Sequence, residues 1–282
     1  MTEYLDCPDG TRIGYDRQGR GPAVILVAAA MQFRGFDSNT VALATALAST
    51  GFTVINYDRR GRGDSVVGSS PGSSPGSSSG SGTPTGTVAE GFGLQHEIDD
   101  LAALIALAGG SAALFGSSSG GAICLAAAAA GLPVTRLALW ETPLGPDGGD
   151  DGDAFAAGFR ATIDAGGGPA SIEYYMKDMP PEWLAGAKNS PAWPVMVQMA
   201  PSLIADAEAL SWAQSRPRAE LWEGIRQPVL ALVGAETLPV MTAAAASIEA
   251  ALPQARTITI AGAHHAWDPE AMAAVLGAFL RE

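Results

Sequence analysis

One stretch, residues 112–130, restricts the fold more than any other part of the chain. It reads Ala-Ala-Leu-Phe, then Gly116-Ser117-Ser118-Ser119-Gly120, then Gly-Ala-Ile-Cys-Leu and five alanines. A short strand-like run, a Gly-x-Ser-x-Gly turn and a wholly apolar helix form the pattern of a serine held on a sharp strand-to-helix turn. The same pentapeptide recurs at 76–80, but Pro, Gly and Ser surround it and no apolar run flanks it. Context therefore selects Ser118 as a nucleophile and leaves Ser78 a copy without chemistry.

Apolar runs alternate with helical spacing along the rest of the chain, as expected for an α/β fold with a mostly parallel sheet covered on both faces. Strands are expected over 11–15 (an edge), 23–27, 53–57, 112–115, 136–140, 228–233 and 257–260. Helices are expected over 39–48, 95–107 with its acidic residues on the exposed face, and 269–280 with proline in its first turn. After Glu141 the strand rhythm stops and resumes near 228. Residues 66–87 are Gly/Ser/Pro-rich and are expected to be a flexible loop or linker.

The formal charge of −13 leaves nothing to neutralise a run of phosphates, so nucleic acid is excluded as a partner and an anionic membrane surface is disfavoured. Two cysteines, Cys7 and Cys124, make no disulfide framework. The first residues lack a basic segment followed by an apolar stretch, and a cytoplasmic location is expected.

Four pieces together resemble the α/β-hydrolase superfamily: 24–30 with its following turn, 57–65, the elbow at 116–120, and Gly262-Ala263-His264-His265. The resemblance implies an α/β-hydrolase fold whose core, 1–143 and 227–282, is interrupted after the sixth strand by a helical lid at 144–226. It also implies a histidine after the last strand. Matching the terminal segment to the family's Gly-x-x-His ending selects His265 as the base, with His264 a neighbouring pocket residue. His96, among Glu97, Asp99 and Asp100, reads as a surface residue.

The family's commonest position for the acid, just beyond the seventh strand, holds Glu236 and Thr237. Some members place it where this chain has Glu141, at the end of the apolar run 137–140. A carboxylate ending such a run is costly unless paired, which favours Glu141 and keeps Glu236 as the alternative. Asp268 is too near His265 in sequence to reach its second ring nitrogen. A serine–glutamate–histidine set with the acid one strand beyond the serine is similar to the zearalenone lactonases, which open a resorcylic macrolactone.

The resemblance further implies an oxyanion hole from the N–H groups of Ser119 and Ala30, with Ala28-Ala29 standing where a His-Gly pair is usual. Trp183, Trp193, Trp212 and Trp222 fall in the expected lid with Tyr174, Tyr175 and several methionines. Met31, Tyr174, Tyr175, Trp183, Trp193 and His264 are candidate substrate contacts, favouring a sizeable apolar or aromatic ester or lactone. No metal or cofactor is expected; a homo-oligomer is common among such enzymes. The same triad elsewhere in the superfamily serves C–C bond hydrolysis, perhydrolysis and thioesterase chemistry. A non-catalytic ligand-binding protein on this scaffold is the competitor of another class. Three further signals read as empty: the Arg62-Gly63-Asp64 tripeptide, the aspartates at 147, 150, 151 and 153, and Gly19-Arg20-Gly21.

Overall fold

A computed structural model describes residues 1–68, 88–149 and 151–282. Ser78, most of the Gly/Ser/Pro tract and Asp150 lie outside the described residues. The strands are β1 (Glu3–Asp6), β2 (Arg12–Gly19), β3 (Ala23–Val27), β4 (Thr53–Tyr57), β5 (Ala112–Ser117), β6 (Val134–Trp140), β7 (Val229–Glu236), β8 (Ala255–Ala263) and β9 (Ala266–Trp267). They form one sheet in the order β1-β2-β4-β3-β5-β6-β7-β8-β9. Strands β3 to β8 run parallel, and β1, β2 and β9 are antiparallel at the two sides.

Period-two alternation divides the apolar strands between two faces. Val24 and Leu26 of β3 enter one cluster, covered by α1 (Ser38–Ser49) and α11 (Pro269–Phe279) through Leu43, Leu47, Met272 and Phe279. Ile25 and Val27 enter the other, covered by α2 (Leu94–Leu107), α3 (Ser119–Ala129) and α10 (Pro239–Ala251). Helix α3 lies buried along almost its whole length, which is why it is apolar all round.

Three expectations are corrected. The edge is β1, too short and too exposed to read as a strand, so 11–15 belongs to the second strand. The tract does not loosen at Val66, which bridges antiparallel to Arg12. The acidic residues of α2 are not all exposed: Glu97 and Asp100 are buried, paired with Arg59 and Arg60 from the segment after β4. Arg62 is buried as well, so the Arg-Gly-Asp tripeptide cannot be presented at the surface.

Between β6 and β7 lie α4 (Asp151–Asp164), α5 (Pro169–Tyr175), α6 (Pro181–Asn189), α7 (Trp193–Gln198), α8 (Ile204–Trp212) and α9 (Arg218–Leu221). This insertion is not uniform. Trp222 packs into the main core, α4, α5 and the half-buried α6–α7 segment build a separate cluster with Met31, and α8 joins the two through Ala209 on one side and Ile204 and Ala207 on the other. Among the described residues no helix is long and apolar enough to cross a membrane.

The sheet brings backbone against backbone around the elbow. A Cβ on Gly120 would stand 2.5 Å from the Val27 carbonyl oxygen, and one on Gly116 would stand 2.6 Å from that of Gly120. Gly120→Ala is therefore expected to destabilise the fold by about 3 kcal/mol or more, since no flexible side chain can yield. Gly186, inside α6 with open space around it, should respond oppositely to the same change, gaining about 0.5–1 kcal/mol. Thermal unfolding of the two variants checks both signs.

Candidate active site

Strand order reverses beside β3, whose neighbours β4 and β5 are reached in opposite directions. The carboxyl ends of strands at such a reversal leave a crevice in which open α/β sheets place their ligands. The loop after β3 and the turn after β5 meet there, and they carry Met31 and Ser118.

Ser118 sits between β5 and α3 with φ 53° and ψ −127°. Its backbone N–H is pinned 2.8 Å from the Trp140 carbonyl oxygen at the end of β6. The indole N–H of Trp140 in turn donates to the His265 carbonyl oxygen at 3.2 Å. One buried tryptophan thus fixes the backbones of both the serine and the histidine.

Glu141 follows Trp140 directly. Its side chain is almost wholly buried, and its Oε2 lies 2.6 Å from His265 Nδ1. Oε1 accepts the Gly234 N–H at 2.9 Å, so both carboxylate oxygens are engaged. Burial raises the pKa of this carboxyl, but His265, the Thr237 hydroxyl and the Gly234 N–H together hold it below the ordinary glutamate value. A depressed folded-state pKa means stability that is fully present above 4.5 and lost as pH falls through the lower folded value. The stability difference between the native chain and Glu141→Gln should therefore be largest near neutrality and shrink below pH 4.5. Denaturant midpoints measured across that range check it.

Glu236 is exposed and makes no hydrogen bond to His265. Asp268 caps α11, accepting the Ala271 N–H. His96 contacts the Glu90 carbonyl oxygen, away from the elbow. Among the described residues the non-glycine positions with positive φ are Met31, Ser118, Glu141, His264 and His265. Such backbone costs of order 1–3 kcal/mol per residue and persists where the surrounding structure over-determines it. All five gather around this one crevice.

The Ser119 N–H begins α3, so it has no acceptor within the helix. Ala30 differs from the expectation. Its N–H is engaged by the Ser119 hydroxyl at 3.1 Å, and that hydroxyl donates to Asp206 at 2.6 Å. Ser118 Oγ makes no hydrogen bond to His265 in this structure, where the Trp183 ring stacks over the imidazole at 6.0 Å between centroids.

Of the expected substrate contacts, Met31, Tyr174, Tyr175, Trp183 and Trp193 share one cluster. Trp222 is fully buried in the sheet's core, and Trp212 packs against that same core. Exposed His264 lines a cavity of about 120 Å³ with His265, Glu141, Trp183, Glu236 and Thr237. Asp206, Arg59 and Arg62 escaped the sequence reading; the signal was the unusual run Asp58-Arg59-Arg60-Gly61-Arg62, three arginines that need buried carboxylates.

The sequence profile described as the alpha/beta hydrolase family matches residues 24–278. An alpha/beta hydrolase from Sphaerobacter thermophilus is 32% identical over 99% of this chain and 100% of its own, with a TM-score of 0.77. A thermophilic esterase from Thermogutta terrifontis shares 22% identity over 100% and 98% of the two chains (TM-score 0.63). An enol-lactonase from Burkholderia xenovorans shares 19% over 99% and 100% (TM-score 0.63). The last two likenesses show the fold. No curated protein matches the chain.

Proposed function

The chain belongs to the alpha/beta hydrolase family, and from that premise we propose that it is a serine hydrolase cleaving a carboxylic ester or lactone through an acyl-enzyme on Ser118. The observation that carries the reading is the joining of His265 Nδ1 to buried Glu141 at 2.6 Å, in the crevice beside a strained serine. In the proposed reaction, Ser118 Oγ attacks the acyl carbon as His265 Nε2 takes its proton. Glu141 keeps the other ring nitrogen protonated and stabilises the imidazolium. His265 then protonates the departing alkoxide, and water, activated by the same nitrogen, releases the acid. Hydrogen bonds of this kind tighten when substrate binds, consistent with the unmade contact between Ser118 and His265.

The cluster of Met31, Tyr174, Tyr175, Trp183 and Trp193 supports an apolar or aromatic acyl or alcohol group. The cavity beside Glu141 and His265 is walled by Trp183 of that cluster. A resorcylic macrolactone of the zearalenone type is the specific substrate we propose to test first, on the placement of Glu141 and these aromatic walls. Product analysis over aryl esters, thioesters, simple lactones and macrolactones tests the whole reading. Hydrolysis of esters or lactones supports it, inertness toward all lactones removes the lactonase half, and inertness toward every member overturns it.

A further inference from the structure

The loop after β3, residues 28–32, must supply the second oxyanion N–H if the serine-hydrolase reading holds, and this inference rests on that reading. Among the described residues, every side chain that hydrogen-bonds to the loop backbone also bonds to one carboxylate, Asp206. Arg59 donates to the Ala28 carbonyl oxygen at 3.2 Å and to Asp206 Oδ1 at 2.6 Å. Arg62 donates to the Ala29 carbonyl oxygen at 2.8 Å, to that of Gln32 at 3.4 Å and to Asp206 Oδ2 at 2.5 Å. Ser119 accepts the Ala30 N–H and donates its hydroxyl hydrogen bond to Asp206 Oδ1. Asp206, Arg59, Arg62 and Ser119 are all buried, so these bonds are shielded from water. Asp206 belongs to α8, more than eighty residues beyond the elbow in sequence.

We propose that Asp206 is a positioning residue for the oxyanion hole, fixing the loop after β3 through Ser119, Arg59 and Arg62 and tying it to the inserted helices. The Ser119 hydroxyl holds the Ala30 N–H in place while the site is empty. A developing oxyanion is a stronger acceptor than a hydroxyl and draws that N–H toward itself, while Ser119 keeps its bond to Asp206. The loop is thereby held close to its working geometry before the charge forms, and the transition state has only to redirect that one N–H.

Ser119→Ala removes the link while keeping its backbone N–H, and Asp206→Asn weakens the hub. Each is compared with the native chain for kcat and KM on a small aryl ester. A trifluoromethyl ketone, whose adduct on Ser118 places an oxyanion in the hole, provides a second readout. We expect Ser119→Ala to lower kcat about tenfold or more with KM nearly unchanged, and to weaken the ketone by the same factor. The double variant should be no worse than Asp206→Asn alone, because both act along one chain of contacts. Asp206→Asn leaves two buried guanidinium groups facing one fewer charge; if it does not fold, Ser119→Ala alone decides. Native kcat and ketone affinity in Ser119→Ala, with turnover abolished in Ser118→Ala, overturns the positioning role and leaves the hydrolase reading intact. Turnover surviving in Ser118→Ala removes both.

Discussion

Replacement of Ser118 by alanine is expected to lower ester turnover about 10⁵–10⁶-fold, leaving the residue that binding and the oxyanion donors supply. The loss should lie in kcat, because the hydroxyl is the group that forms the bond and makes no ground-state hydrogen bond to His265. Stability should not follow activity. Ser118 pays for its position with φ 53° and ψ −127°, a region that alanine tolerates no better and glycine adopts freely. Ser118→Gly should therefore be at least as stable as the native chain while equally inactive. A thermal melt beside a progress curve separates the two effects. Turnover in Ser118→Ala within tenfold of native would remove the serine from the mechanism.

Glu141→Gln is expected to lower kcat about 10³–10⁴-fold. The amide oxygen can still accept the Gly234 N–H, as Oε1 does now. The amide nitrogen then faces His265 Nδ1 and donates to it, so the ring must carry its proton on Nε2. That nitrogen can no longer take the serine proton. Glu236→Gln is the matched control, since Glu236 is exposed and has no bond to the histidine; it should change kcat by less than about twofold. The reverse ranking of the two variants transfers the acid's role to Glu236.

The parts of the fold that were legible in sequence are those whose neighbours leave no choice. The run 23–27 has no polar side, so it must be covered on both faces, and the elbow glycines occupy positions where backbone approaches backbone. Glu141 could be singled out because a carboxylate ending an apolar strand needs a partner. His265 emerged because the chain holds few histidines and the resemblance placed one near the end. The buried ion pairs were not legible. Helical spacing on α2 separates polar from apolar residues but cannot distinguish a face toward water from one toward Arg59 and Arg60. Asp206 is further hidden, because what makes it matter is contact with residues from β4's end and the elbow. The engagement of the Ala30 N–H escaped for a related reason: a serine beside the nucleophile reads as a turn residue until Asp206 shows where its hydroxyl points.

Ser118 as the nucleophile is tested most directly by the site of covalent labelling by a fluorophosphonate on the folded protein, located by mass spectrometry of its peptides. One adduct is expected, on Ser118, formed in step with loss of ester hydrolysis and slowed by His265→Ala. A folded chain that takes up no label at Ser118, or that loses activity while labelled elsewhere, contradicts that role.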